Sequence, residues 1–248
     1  MPTFKLTLAY DGTDFSGWQS QPGQRTVQGV LEAAWREITG ETIRVTAASR
    51  TDAGVHALGQ VVGVHSESRL SATELFGGIN AKLPLDVVLM HIQEAPAEFH
   101  ATHDARRKRY RYQIHNDRRR PLFERGHVWH VPQSLDVEAM HRAGQSLMGE
   151  HDFASFQSTG SERESTVRTI FAIEVTREAL ERAAEVRIEV EGDGFLYNMV
   201  RIIVGTLVEV GVGQRDEHSL GAVLAACDRR EAGKTAPPQG LMLLRVEY

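Results

Sequence analysis

Residues 49–56 read SRTDAGVH and run straight into the strand-like stretch ALGQVVGVH. Charged side chains beside a core are costly unless they are paired or used, so Arg50 and Asp52, two residues apart on a turn of small residues, ask for a chemical reason. In an extended segment the two side chains would share a side. If they meet, the guanidinium would keep the Asp52 carboxylate ionised and oriented, favouring a low pKa. Gly54 gives the backbone the freedom to turn immediately afterwards. The plainer alternative is an ion pair that only pins a loop.

A second concentration of chemistry lies between residues 106 and 125. Arg106, Arg107, Lys108, Arg109, Arg111, Arg118, Arg119, Arg120 and Arg125 face only Asp117 and Glu124 in that window, although the whole chain carries a net charge of −5. An acidic body with one basic segment can still draw a polyanion locally. Tyr110 and Tyr112 are interleaved with the arginines, and aromatics among cations suit stacking a base while phosphates are held. The competing reading is a solvated, salt-bridged face.

Other chemistries fit poorly. None of the eleven histidines sits in HExxH, and the pair His100 and His103 has no third ligand near it in sequence, so no metal site is expected. A hydrolase built on Ser155 and His151 in GEHDFASF lacks the GxSxG elbow. The glycines of YDGTDFSGWQ and EGDGFLYN match neither the P-loop nor the dinucleotide fingerprint and read as turns. Cys227 is the single cysteine, so no disulfide and no multi-thiolate site can form within the chain. No apolar run approaches the roughly 20 residues that span a bilayer, and MPTFKLTLAYDG has no signal-peptide core. A cytoplasmic protein is the expectation.

The elements that must carry these residues are legible in outline. TFKLTLAY alternates as a strand. Val27, Leu31, Ala34, Trp35 and Ile38 recur at helical spacing, with Thr26 as N-cap and Gly40 as the stop. Residues 43–46 and 61–64 are strand candidates, SATE at 71–74 has capping-box form, and DVVLMHIQ is a further strand. That order is β-α-β-β-α-β, the split, ferredoxin-like arrangement. The second half offers KRYRYQIH as a strand and DVEAMHRAGQSLMG as a helix with Met140, Ala143 and Leu147 on one stripe. Two antiparallel strands follow, then helices from about 197 and 219, and a closing strand LMLLRVEY. The expected fold is α+β: two ferredoxin-like halves with mainly antiparallel sheets joined around a central cleft. Residues 1–105 would carry the Asp52 loop, and residues 106–248 the Tyr110 strand and the helix containing NMVR.

Taken in order, AYDGTDFSGWQ, VQGVLEAAW, SRTDAGVHALGQVV, INAKLP, FHATHDARRKRYRY, MGEHDFASF, FLYNMVRIIVGTLVEVG and TAPPQGLMLLRVEY resemble the TruA family of tRNA pseudouridine synthases nearly end to end. One departure is Ser49, where the family often has glycine; serine is also small, so a slightly different turn with an intact site is expected. The resemblance implies the pseudouridine synthase fold and isomerisation of uridine to pseudouridine at positions 38 to 40 of the tRNA anticodon stem-loop. It implies a homodimer with each tRNA touching both subunits, and neither cofactor nor metal. By motif Asp52 is the catalytic aspartate, Tyr110 packs on the target base, Arg50 assists the flipped state, Arg201 pairs with Asp52, and Leu241 helps line the pocket.

The residue types suit that reaction. The N1–C1′ bond must break, the uracil must turn, and its C5 must join the same sugar carbon. A retaining glycosidase uses two carboxylates because water has to be activated. Here the leaving base is also the attacking group, so one carboxylate can suffice, provided water is kept out. Leu196, Met199 and Leu241 could form that dry wall. Extruding a stacked uridine costs a few kcal/mol, which an aromatic stack worth roughly 1–3 kcal/mol offsets. Phosphate contacts from the arginines between 106 and 125 would add affinity without reading sequence. The rival from another class is a structured-RNA-binding protein without turnover, which would have no use for Asp52.

Overall fold

The computed structural model describes residues 2–158, 160, 165–179 and 184–248. Contacts divide the chain into two units, residues 1–106 together with 242–248, and residues 107–241.

The first unit begins with β1 (Thr3–Tyr10), α1 (Val27–Thr39), β2 (Thr46–Ala47), β3 (His56–His65), α2 (Ala72–Lys82) and β4 (Val87–Ala95). β1 lies between β4 and β3, β2 adds to β3, and these pairings are antiparallel. This is the ferredoxin-like order the pattern predicts. Local chemistry explains the helices. Thr26 accepts the Gly29 N–H at the start of α1, and Gly40 ends it in the left-handed conformation. Ser71 and Glu74 form the reciprocal capping box of α2. Phe4 meets Trp35 at 6.1 Å between ring centroids, bringing α1 onto β1. Asn80 of α2 donates to the Leu89 carbonyl and accepts its N–H, both at 2.9 Å, covering backbone groups of β4. The second strand is shorter than the sequence suggests. Val45 donates its N–H to the Glu32 carboxylate at 3.1 Å rather than to a neighbouring strand, and pairing starts only at Thr46.

The second unit contains β5 (Arg107–His115), β6 (Trp129–His130), α3 (Val137–Gln145), β7 (Gly149–Asp152), β8 (Val167–Ala179), β9 (Ala184–Gly192), α4 (Met199–Gly211) and α5 (Leu220–Ala226), and ends at the first residue of β10 (Leu241–Glu247). The antiparallel order is β5-β9-β8-β7, with β6 parallel to β5. The series β5-α3-β8-β9-α4 repeats β1-α1-β2-β3-α2, and its first strand again pairs with its third. Leu147 is buried as expected, but beyond α3 rather than on it. Leu147 and Met148 donate to Gly144 and Gln145, three residues back, so the last turn tightens before Gly149 reverses the chain at φ +96°. α4 buries residues on every side, as a helix apolar all round must.

The protein is thus α+β with mainly antiparallel strands. By contacts the units divide after Arg106, and residues 242–248 belong with the first unit. There Met242 and Leu243 of β10 pair in parallel with His56 and Ala57 of β3, and Glu247 accepts the Arg106 N–H at 2.8 Å. Among the described residues no helix is long and apolar enough to cross a membrane.

Candidate active site

In the first unit Asp52 rides on a loop that is anchored on both sides. Its carbonyl accepts the Val55 N–H at 3.1 Å, closing a turn in which Gly54 has φ +77°. Thr51 is buried; its carbonyl accepts the Trp18 N–H at 2.9 Å, and its hydroxyl lies 2.7 Å from the Tyr10 phenol. Ser49 is held by Gln60, which is fully buried: the amide donates to the Ser49 carbonyl at 2.6 Å and accepts its N–H at 3.3 Å. The motif YDGTDFSGWQ forms the other wall. A Cβ on Gly12 would lie 2.0 Å from the Val55 carbonyl oxygen, and one on Gly17 would lie 2.8 Å from that of Thr51. The Gly12 N–H also donates to His56 Nδ1 at 3.0 Å, and Asp11 Oδ1 lies 3.1 Å from the same nitrogen. These glycines therefore do more than turn the chain; they let two backbones touch.

The half-buried Asp52 side chain stands on this fixed platform, while Arg50 is exposed. Among the described residues no ion pair joins the two. Residues 50–52 do not lie in a strand, so the alternation that would put the two side chains on one side does not apply. Replacing Gln60 by leucine should leave the Ser49 amide and carbonyl without their partner. That loss is expected to cost about 1–3 kcal/mol, read as a fall in the urea midpoint at unchanged slope.

In the second unit β5 separates what the sequence had interleaved. Lys108, Tyr110, Tyr112 and Ile114 are buried on one face, and Arg107, Arg109, Arg111 and Gln113 point to the other. On the arginine face Arg109 reaches Glu189 at 2.6 Å, Glu174 at 3.4 Å and Glu191 at 3.7 Å; Arg111 reaches Glu189 at 2.6 Å, and Arg107 reaches Glu191 at 3.1 Å. Burial works against ionised Glu189, yet its bonds to Arg111 and Arg109 hold it below the usual carboxylate range. The salt-bridged face is therefore the right reading for Arg107, Arg109 and Arg111. These cations do not share a surface with the tyrosines.

Tyr110 is 5% exposed and stands edge-on to Phe195, with ring centroids 5.2 Å apart. Tyr112 donates to the Pro237 carbonyl at 2.7 Å, and burial pushes its phenol well above the usual range, so it remains a neutral donor. Arg201, on the first turn of α4, donates to the Ala236 carbonyl at 2.8 Å and to the Asn198 side chain at 2.7 Å. Its own carbonyl accepts the Ala236 N–H at 3.0 Å. Asn198 occupies the left-handed region at φ 61°, and its amide donates to the Ser158 hydroxyl at 3.0 Å. Leu241, at the start of β10, is buried. Sequence reasoning named Arg201 and Leu241 but missed Asn198 and residues 234–240, which hold them; a positive φ at a non-glycine residue leaves no mark in composition.

Ser155 is fully buried, donating to the Val223 carbonyl at 2.6 Å and accepting the Asp228 N–H at 2.8 Å. His151 Nε2 lies 2.8 Å from the Met148 carbonyl. Neither is poised as nucleophile or base.

Residues 7–104 and 143–248 match the family model described as tRNA pseudouridine synthase. The chain is 48% identical over 248 residues to tRNA pseudouridine synthase A of Brevibacillus brevis, covering all of both chains. It is 44% identical over 248 residues to the protein of that name from Ruminiclostridium cellulolyticum, again covering all of both. To the one from Halalkalibacterium halodurans it is 46% identical over 243 residues, covering 98% of this chain and 91% of the other. The chain belongs to the tRNA pseudouridine synthase family. As a pseudouridine synthase it is an isomerase, with a product that has the atoms of its substrate. Both matched segments contain proposed site residues: Arg50 and Asp52 in the first, Arg201 and Leu241 in the second.

Proposed function

We propose that this synthase converts uridine to pseudouridine in tRNA, at positions 38 to 40 of the anticodon stem-loop, with Asp52 as the reacting carboxylate. The observation that carries the reading is the Asp52 platform: a half-buried carboxylate on a loop fixed through Thr51, Ser49 and Val55. Such fixing places the carboxylate before substrate arrives, so little of its freedom is left to lose in the transition state. Tyr110, whose ring is already fixed by Phe195, stacks on the extruded uracil at small entropic cost. The family resemblance gives Arg201 as the partner of Asp52, and within its own unit the Arg201 guanidinium is oriented by Ala236 and Asn198. Exposed Arg50 is free to follow the flipped nucleotide, and Leu241 excludes water that would otherwise hydrolyse the detached sugar. The chemistry needs no redox change and no activated water, in keeping with a reaction run without cofactor or metal. A homodimer in the cytoplasm completes the reading, which rests there on the family resemblance.

The test is release of tritium from unmodified tRNA transcripts labelled at uracil C5. Joining C5 to the sugar expels that hydrogen, so wild-type protein should release label to water, and sequencing of the product should locate it at positions 38 to 40. No release would retire the reading. Ser155→Ala gives a clean contrast with the hydrolase alternative. Turnover should persist, while loss of the hydroxyl leaves the Val223 carbonyl and the Asp228 N–H unsatisfied and lowers stability by about 1–3 kcal/mol.

A further inference from the structure

The basic segment that looks continuous in sequence is two different things in space. Its β5 arginines are spent on glutamates. Residues 116–127, in the connection from β5 to β6, are not. Arg118 and Arg120 are exposed and have no ion pair or side-chain hydrogen bond among the described residues. Leu122 and Phe123 follow, 62% and 85% exposed. An exposed phenylalanine three residues along the chain from Arg120 is unfavourable for a free protein and favourable against a ligand that offers both phosphates and flat rings.

The connection is also built to hold that display. Arg119 forms two bonds from its guanidinium to Asp117, at 3.0 and 3.1 Å, and donates its N–H to the same carboxylate at 2.7 Å. Those bonds hold Asp117 far below the usual carboxylate range. His115 Nε2 lies 3.0 Å from the Arg119 carbonyl and His130 Nε2 lies 2.9 Å from that of Asp117, so both ends of the arginine run are tied to flanking strands. Asn116 donates to the carbonyls of Val131 and Gln133 at 2.8 and 2.7 Å. Beyond Phe123, Arg125 donates to the Leu122 carbonyl at 2.7 Å, and the His127 N–H donates to Glu124 at 2.8 Å. Asp117 is thus consumed by Arg119, which leaves Arg118 and Arg120 on either side with their charge unspent. The whole display falls between the two segments that match the family model.

We infer that residues 118–123 form an RNA-contact surface outside the reaction site, in which Arg118 and Arg120 hold backbone phosphates and Phe123 packs on an unstacked base or exposed ribose face. The inference rests on the reading of the chain as a tRNA-modifying enzyme for the identity of the RNA. A preordered loop loses little freedom on binding, so its contacts go into affinity.

The experiment uses the full chain and unmodified tRNA transcript, with equilibrium binding across a salt series and tritium release measured in parallel. Arg118→Ala with Arg120→Ala should weaken binding at least tenfold at low salt and reduce the slope of log Kd against log salt by about 1.5, since each lost phosphate contact removes roughly 0.7–0.9. Arg118→Lys with Arg120→Lys should retain the slope. Phe123→Ala should weaken binding about fivefold or more without changing the slope, and kcat at saturating tRNA should stay within about twofold in every variant. Variants that release tritium and bind as wild type does would overturn the surface and leave the proposed function standing. A wild type that binds tRNA through this loop yet releases no tritium would remove the proposed function and leave the surface standing. If Phe123→Ala instead changes the sedimentation coefficient and leaves tRNA binding intact, the loop is a protein contact and the inference is wrong.

Discussion

Asp52→Asn is expected to lower tritium release by at least about four orders of magnitude while tRNA binding stays within about twofold. Removing the reacting group of an enzyme costs on that scale, because what remains is binding without chemistry. Asparagine has the shape of aspartate, and the bonds through the Asp52 carbonyl, the Thr51 hydroxyl and the Ser49 backbone are ones the change does not touch. The loop should therefore stay in place with an uncharged amide at its tip. A carboxylate makes no attractive contact with phosphate, so its loss removes no affinity. Residual turnover above about one per cent of wild type would show that another group reacts, and loss of binding would show that the variant disturbs more than the charge.

The second large effect should come from a residue with no chemistry of its own. Gly12→Ala would place a methyl group 2.0 Å from the Val55 carbonyl oxygen and 2.6 Å from its carbon. Both atoms are backbone, so no side chain can swing aside, and the turn carrying Asp52 has to move. Displacement of about 1 Å at a reacting group is worth roughly a hundredfold in rate, and forced overpacking costs about 1–3 kcal/mol. The variant should fold with a lowered urea midpoint and a kcat down about a hundredfold. Gly77→Ala provides the control. Gly77 lies inside α2, and a Cβ there meets nothing within 4 Å. The same substitution should raise stability by about 0.5–1 kcal/mol and leave turnover unchanged. If both variants lose activity alike, the contact between Gly12 and Val55 is not what positions the loop.

What the sequence made legible was local. Thr26, Gly40 and the Ser71–Glu74 box act within one turn of the residues they cap, so their positions alone name the helix ends. The alternation of KRYRYQIH was visible too, and it carried more than its composition suggested: period two sends Arg109 and Tyr110 to opposite faces. Reading them as one mixed surface overlooked that geometry. What stayed hidden was remote. Gly12 and Val55 are 43 residues apart, and nothing near either announces that their backbones will touch. The Glu32 carboxylate that captures the Val45 N–H, and so delays β2, is equally invisible to a local pattern. Arg50 and Asp52 show the opposite failure, where proximity suggested a pairing that an extended strand would allow but the irregular backbone at 50–52 does not provide.

The return of β10 to β3 puts a clock on the making of this protein. His56 leaves the ribosome about 190 residues before its strand partner Met242 exists. Until then the edge of β3 next to the Asp52 loop has its backbone groups unpaired there, in a chain whose other first-unit strands are already complete. Contacts so distant in sequence form late and slowly, so the nascent first unit passes through a long interval with an open edge that other chains can occupy. The strand next to the Asp52 loop is then completed only once Met242 and Leu243 have been made, and a polypeptide truncated before them carries Asp52 on an incomplete platform.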